Sequence, residues 1–165
     1  MSQFATWLSQ TSLSLTFQVH EWIIPAVQSV HIIAIGIVLS AVLMVGLRVL
    51  DLAWRDQTLM QVTERFGPWL SWALVVLLLT GVVMVIGEPV RELMAFSFWA
   101  KMTLIALAGL NFVFYFLAVE PKLLRLGPHD ATPASAKLVG VLSLTLWFLV
   151  LAFGRLLPYL GTGGG

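Results

Sequence analysis

The polar side chains best placed to do chemistry fall within or beside long apolar runs, and there are six of them: His20, Glu21, Gln28, His31, Lys101 and Arg155. An imidazole can ligate a metal or exchange a proton, and a lysine or arginine can hold a carbonyl or anionic oxygen. Because ionisable groups are costly to place in a membrane, each needs a partner or a function. We expect the six to line one pocket for a lipid, a quinone or a small ligand.

His31 is the candidate metal ligand, and the spacing of the histidines limits what it can hold. A bis-histidine haem needs two imidazoles on one iron. His20 and His31 are eleven residues apart, about 16 Å along one helix, so they cannot share that iron. His129 falls in a loop on the other side of the predicted membrane. A haem b would therefore need a partner such as Met84 or Met102, or a five-coordinate iron.

Copper is a second possibility, because soft thioether ligands suit Cu(I) and Met84, Met94 and Met102 fall on the same side as His31. Simpler roles compete with these. A neutral imidazole can bridge two helices, Lys101 and Arg155 can extend to lipid headgroups, and intramembrane amides commonly hydrogen-bond a neighbouring helix.

The composition requires a membrane. Of the 165 residues, 59% are hydrophobic and only 10% are charged, against about a quarter charged in ordinary soluble domains. There is no basic run to bind nucleic acid, and the chain has no cysteine for disulfides or thiolate metal sites. No nucleophile–base set, metalloprotease motif or glycine-rich phosphate loop is present, so we expect no catalytic residues.

Continuous apolar runs of about 20 residues predict membrane-spanning helices rather than barrel strands. Four such runs cover residues 22–47, 68–87, 96–119 and 138–160. Short loops join them, which predicts an all-α, integral membrane four-helix bundle with up-down-up-down topology. We expect a single domain over residues 1–160, a short N-terminal interfacial segment, and a flexible tail at 161–165.

Positive charges suggest the orientation of the bundle. The two loops that follow the first and third spans carry six lysines and arginines: Arg48, Arg55, Arg65, Lys122, Arg125 and Lys137. The opposite side carries the other three, Arg91, Lys101 and Arg155. We therefore expect the two loops to be cytoplasmic and both termini to be periplasmic. On this orientation the six polar residues lie in the outer half, where Glu88 and Glu92 are candidate counter-charges.

Three short patterns resemble an uncharacterised family of bacterial four-helix inner-membrane proteins. They are Gln28-Ser29 with His31, Lys101-Met102 followed by Ala108 to Asn111, and Trp147 followed by Gly154-Arg155. Members of that family often carry a second histidine after the span-three asparagine, whereas this chain reads NFVFYFLAVEP there. The resemblance implies a bacterial inner membrane but no established activity. Copper-resistance membrane domains and small cytochrome b subunits are similar in architecture only.

These observations favour a non-enzymatic membrane subunit that packs in a larger assembly or with itself and contacts membrane lipids. Its outer polar pocket would hold a lipid, quinone or small ligand. A redox subunit with haem b or quinol near His31 is the alternative, followed by copper or small-solute handling. The last is disfavoured because few polar residues continue inward from the pocket.

Overall fold

The computed structural model of the chain describes residues 2–123, 127 and 130–160, and the side chains of these as far as Gly154. His129, the Arg155 side chain and the predicted tail at 161–165 lie outside these residues. Every regular element described is a helix: α1 (Ser2–Ser9), α2 (Ser12–Val19), α3 (Ile23–Val49), α4 (Leu59–Gly87), α5 (Pro89–Met94), α6 (Phe96–Phe114), a π-helical segment (Tyr115–Val119), α7 (Glu120–Leu123) and α8 (Ala134–Leu160).

Four stretches are long and apolar enough to cross a membrane, with mean hydropathies between 2.1 and 2.6. They are α3, α4, the continuous stretch from α6 through the π-helical segment to α7, and α8. Most of their apolar surface faces outward, as lipid-exposed helices require. The predicted integral membrane four-helix bundle is confirmed.

The spanning helices pack in the order α4, α3, α8, α6. In the middle of the bundle, Val38 and Val42 of α3 pack against Ala73 of α4, and Trp147 of α8 packs against this cluster. A second buried cluster joins the ends of α3 and α8 to the π-helical segment and α7. Between α6 and α8, Asn111 Nδ2 donates a hydrogen bond to the Val139 carbonyl at 3.3 Å.

The bundle has two sides, named here for the chain segments that lie there. The terminus side is where α3 and α6 begin and α4 and α8 end, and the loop side is the opposite one. On the terminus side α1 packs against α5 and α2 against α4. Ala5 and Ser14 are buried in these contacts, while Phe4 and Trp7 stack on each other and stay exposed. An exposed aromatic pair on a short helix suits the interfacial position expected for this segment.

Local sequence explains where the helices begin. At α4, Thr58 Oγ1 accepts from the Gln61 backbone N–H and the Gln61 side chain accepts from the Thr58 N–H, which is a capping box. Pro25 lies in the first turn of α3, where its missing N–H is not needed. With its cap at Thr58, α4 begins at Leu59, ahead of Pro68, which is the predicted start of the second apolar run.

Candidate functional site

His31 of α3 contacts α4 through a short hydrogen bond. Its Nδ1 lies 2.7 Å from Thr80 Oγ1, and Thr80 Oγ1 itself donates to the Val76 carbonyl at 2.6 Å. Because the hydroxyl hydrogen of Thr80 is directed to that carbonyl, the imidazole must be the donor in the first bond. His31 therefore carries its hydrogen on Nδ1.

Gly81 of α4 lies beside this imidazole. A Cβ placed on Gly81 would lie 3.8 Å from His31 Cε1, which is ordinary contact distance. The Nδ1–Cε1 edge of the ring thus rests on α4 at Thr80 and Gly81, and His31 is half-buried. Since His31 is about 12 Å of helix rise from the start of α3, this contact lies inside the membrane-spanning region.

Lys101 lies on α6 and packs against α8. Its Cε lies 4.0 Å from the position a Cβ would take at Gly154 of α8, so the lysine stem rests on α8 where a side chain is missing. Its ammonium interacts electrostatically with His31 and with Glu92 of α5. Thr80 of α4 is hydrogen-bonded to His31 of α3, and Lys101 of α6 acts on His31 through its charge. We call His31, Thr80 and Lys101 the polar site.

The Lys101 ammonium has no hydrogen bond and no ion pair within 4.0 Å to any side chain that the structure describes. Glu92, whose charge acts on Lys101, pairs instead with Arg91 at 3.5 Å. His31 Nε2 likewise has no hydrogen bond within the described part of the chain. Neither atom is fully enclosed by protein, so both are accessible to a ligand.

The other predicted pocket residues are placed differently. Gln28 is exposed on α3 and forms no hydrogen bond with described residues. His20 and Glu21 are exposed between α2 and α3, and His20 Nδ1 lies 3.0 Å from the Thr16 carbonyl. The Arg155 side chain lies outside the described residues, so its place in the pocket stays a prediction.

Metal ligation at His31 depends on which donors accompany it. Among the described residues, no three histidines, aspartates or glutamates come together. Methionine sulfur is a different donor, and Met84 and Met102 are both half-buried. Haem b or copper on His31 would use Nε2, since Nδ1 is engaged with Thr80.

Thr80 and Gly154 are the two site residues that sequence reasoning did not place in the pocket. In the sequence, one is simply a polar residue on span two and the other a small packing residue on span four. No spacing rule links them to His31 or Lys101, because they lie on different helices. The sequence feature nearest to a signal is the threonine followed directly by a glycine, Thr80-Gly81, within the second span.

A second polar cluster lies on the loop side. Asp51 accepts hydrogen bonds from Arg48, Lys137 and Thr132 at 3.2, 2.8 and 2.8 Å. Burial by itself would raise the pKa of Asp51, but the hydrogen bonds from Lys137 and Thr132 and the charge of Lys137 outweigh it and hold that pKa below its usual value. This cluster ties the 50–58 loop to the start of α8 and fits a structural role.

A family model described as a family of unknown function (DUF6644) matches residues 7–160. No curated protein and no solved structure matches the chain.

Proposed function

The chain belongs to this family of unknown function, DUF6644, and from its geometry we propose that it is a non-enzymatic integral membrane subunit whose polar site holds a ligand by an oxygen atom. The ligand would be a quinone, a lipid headgroup or another small molecule with a hydrogen-bond-accepting oxygen. The observation that supports this most is the Lys101 ammonium, which lies among the spanning helices with no partner in the described residues.

An ammonium within a bilayer is costly unless its donors are engaged. Lys101 has three N–H donors, its stem rests on α8 at Gly154, and its charge acts on His31. A carbonyl, phosphate or hydroxyl oxygen beside Lys101 would engage that ammonium. Because Glu92 and Arg91 form an ion pair beside it on α5, the same ligand would lie below a charged rim.

The proposal that the chain is a subunit rests on glycines at the outer surface of the bundle. Gly36 of α3 and Gly109 of α6 have nothing within 4 Å of the position that a Cβ would take, so their backbones are open to close contact. Small residues at such positions favour helix–helix association in membranes. The chain also has little mass outside the spans, and we infer that it packs with other membrane subunits or with itself.

Native mass spectrometry of the gently extracted protein tests both parts. We expect a retained non-covalent ligand and a complex larger than one chain. Lys101→Met preserves the length of the stem and removes the charge, so it should lose the ligand. Lys122→Met, which removes an exposed lysine on α7, should retain it.

The ligand mass separates a quinone from a phospholipid. A monomer without partners would contradict the subunit proposal, and a ligand retained at full occupancy by Lys101→Met would contradict the site.

The second candidate is a redox subunit with haem b near His31, and the accessible Nε2 of that residue favours it. An optical spectrum of the purified protein tests this directly, because bound haem gives a Soret band. Copper handling, the third candidate, predicts Cu(I) retained in the same mass spectrum and lost in His31→Gln. An optical spectrum without a Soret band, together with a mass spectrum without copper, would contradict both of these candidates and favour a ligand held by an oxygen atom.

A further inference from the structure

The hydrogen bonds around Thr80 determine which nitrogen of His31 faces a ligand. Thr80 Oγ1 lies 2.6 Å from the Val76 carbonyl and 3.3 Å from the Leu77 carbonyl, one turn earlier on α4. A carbonyl can only accept, so the hydroxyl hydrogen is committed to α4. Thr80 can then only accept from His31, and a neutral His31 must present its lone pair at Nε2.

The Lys101 ammonium has the opposite hydrogen-bonding capacity to Nε2 of His31. The ammonium can only donate hydrogen bonds, whereas Nε2 of a neutral His31 can only accept one. The charge of Lys101 acts on His31, and a ligand that contacts both groups must therefore offer an acceptor to one and a donor to the other. A ligand that carries only acceptor oxygens, such as a quinone, would satisfy Lys101 and leave Nε2 without a partner.

From this pairing we infer that the polar site is selective for a ligand that presents a hydroxyl hydrogen together with an acceptor oxygen. This inference rests on the proposed function and narrows it. A hydroquinone has this chemistry, because each of its hydroxyls both donates and accepts, and so does the glycerol headgroup of phosphatidylglycerol. His31 acts as the hydroxyl acceptor, Lys101 as the oxygen donor, and Thr80 as the positioning residue that fixes the imidazole tautomer.

The tautomer can be measured without any ligand. Protein labelled with ¹⁵N-histidine and freed of ligand in detergent would be studied by long-range ¹H–¹⁵N correlation NMR, with His31→Gln used to assign the signals. We expect His31 in the Nδ1–H form in the wild-type protein and in Thr80→Ser, which keeps the hydroxyl. Thr80→Val removes the acceptor and should shift the signal toward the Nε2–H form. A wild-type signal from the Nε2–H form would overturn the inference.

Binding of matched probes tests the selectivity. Duroquinol dimethyl ether carries a methyl group in place of each hydroxyl hydrogen of duroquinol and so cannot donate. Titration calorimetry under anaerobic conditions should show duroquinol binding at least tenfold more tightly. Thr80→Val should reduce that ratio while Thr80→Ser keeps it. Equal binding of the two probes would overturn the inference and leave the proposed oxygen site intact.

Vesicles of defined lipid composition distinguish a lipid headgroup from a quinol as the ligand. Preferential retention of phosphatidylglycerol over phosphatidylcholine, without binding of duroquinol, would assign the hydroxyl to a headgroup. If the wild-type protein retains neither lipid and binds neither probe while His31 is in the Nδ1–H form, the proposed function itself fails although the tautomer is as inferred.

Discussion

At the scale of single residues, Asp51 shows how one carboxylate joins two segments of this protein. Its backbone has a positive φ of 58°, which is unusual for a residue other than glycine. The surrounding bonds hold it there: Arg48 donates from the end of α3, while Thr132 and Lys137 donate from the loop before α8 and from α8 itself. We infer that this cluster fixes the loop-side ends of α3 and α8 relative to each other.

Replacing Asp51 with asparagine removes the charge from this cluster. We expect Asp51→Asn to lower the free energy of unfolding by about 2 kcal/mol at pH 7, since charged hydrogen bonds are lost. Because the native pKa of Asp51 is depressed, its contribution is present above the unfolded pKa of about 4 and is lost as the pH falls through the native pKa.

Unfolding in mixed micelles at several pH values would measure this. The difference between the two proteins should narrow below about pH 4. Asp56→Asn, an exposed change in the same loop, serves as the control and should have little effect at any pH. A constant difference across the acid range would show that Asp51 is not stabilised as a carboxylate.

The sequence was sufficient to identify the ionisable residues of the site, but not the residues that they contact. His31 and Lys101 stood out because charged or titratable side chains are rare in apolar spans. Thr80 could not be identified as the partner of His31, because the rotation of each helix is set by packing against its neighbours. Glu92 was expected as a counter-charge, and it does interact with Lys101, although its ion pair is with Arg91.

At the scale of elements, the contact between α3 and α8 depends on a missing side chain. A Cβ placed on Gly46 would lie only 2.9 to 3.1 Å from three carbon atoms of Leu144 on α8. That separation is too small for atoms that are not bonded, so the leucine or the helix would have to move. Gly36, on the same helix, has open space at the corresponding position.

The two glycines form a matched pair of substitutions. We expect Gly46→Ala to destabilise the fold by about 1–3 kcal/mol through overpacking, and Gly36→Ala to be neutral or slightly stabilising in the monomer, because alanine favours helix. Denaturant titration in mixed micelles compares them. Equal effects from both changes would mean that α3 and α8 do not approach closely at Gly46.

Hydropathy predicted the four spanning helices because lipid imposes a long apolar run on each of them. It did not predict the π-helical segment Tyr115–Val119 or the division of the N-terminal segment into α1 and α2. Both features depend on local hydrogen bonding: Thr11, for example, begins α2 by accepting from the Ser14 N–H. Helix caps are formed by single polar residues, so a hydropathy profile does not detect them.

At the scale of the whole molecule, the antiparallel bundle places the polar site on the terminus side and the Asp51 cluster on the loop side. The sequence alone yielded this up-down-up-down order, since short loops force neighbouring spans to run in opposite directions. It did not yield the packing order α4, α3, α8, α6, which depends on side-chain shape across helices. The family match adds no activity, so the polar site alone supports the proposed function.

The orientation of the bundle remains a prediction from its positive charges, and the absence of cysteine makes it simple to test. Single cysteines would be introduced at two exposed positions, Ser12→Cys before the first span and Asp56→Cys in the first loop. In intact spheroplasts, a membrane-impermeant maleimide should label the first and not the second. Labelling of Asp56→Cys alone would reverse the orientation and place the polar site in the cytoplasmic leaflet.

The two helices at the ends of the packing order, α4 and α6, make no extensive contact with each other in the described chain. Lys101 lies on α6 and rests on α8 at Gly154, while Thr80 lies on α4. On the proposed function, a hydrophobic ligand would reach Lys101 from the acyl chains, between these two helices, without entering water. Occupancy would then follow the mole fraction of that ligand in the surrounding leaflet and not its concentration in the water outside the cell.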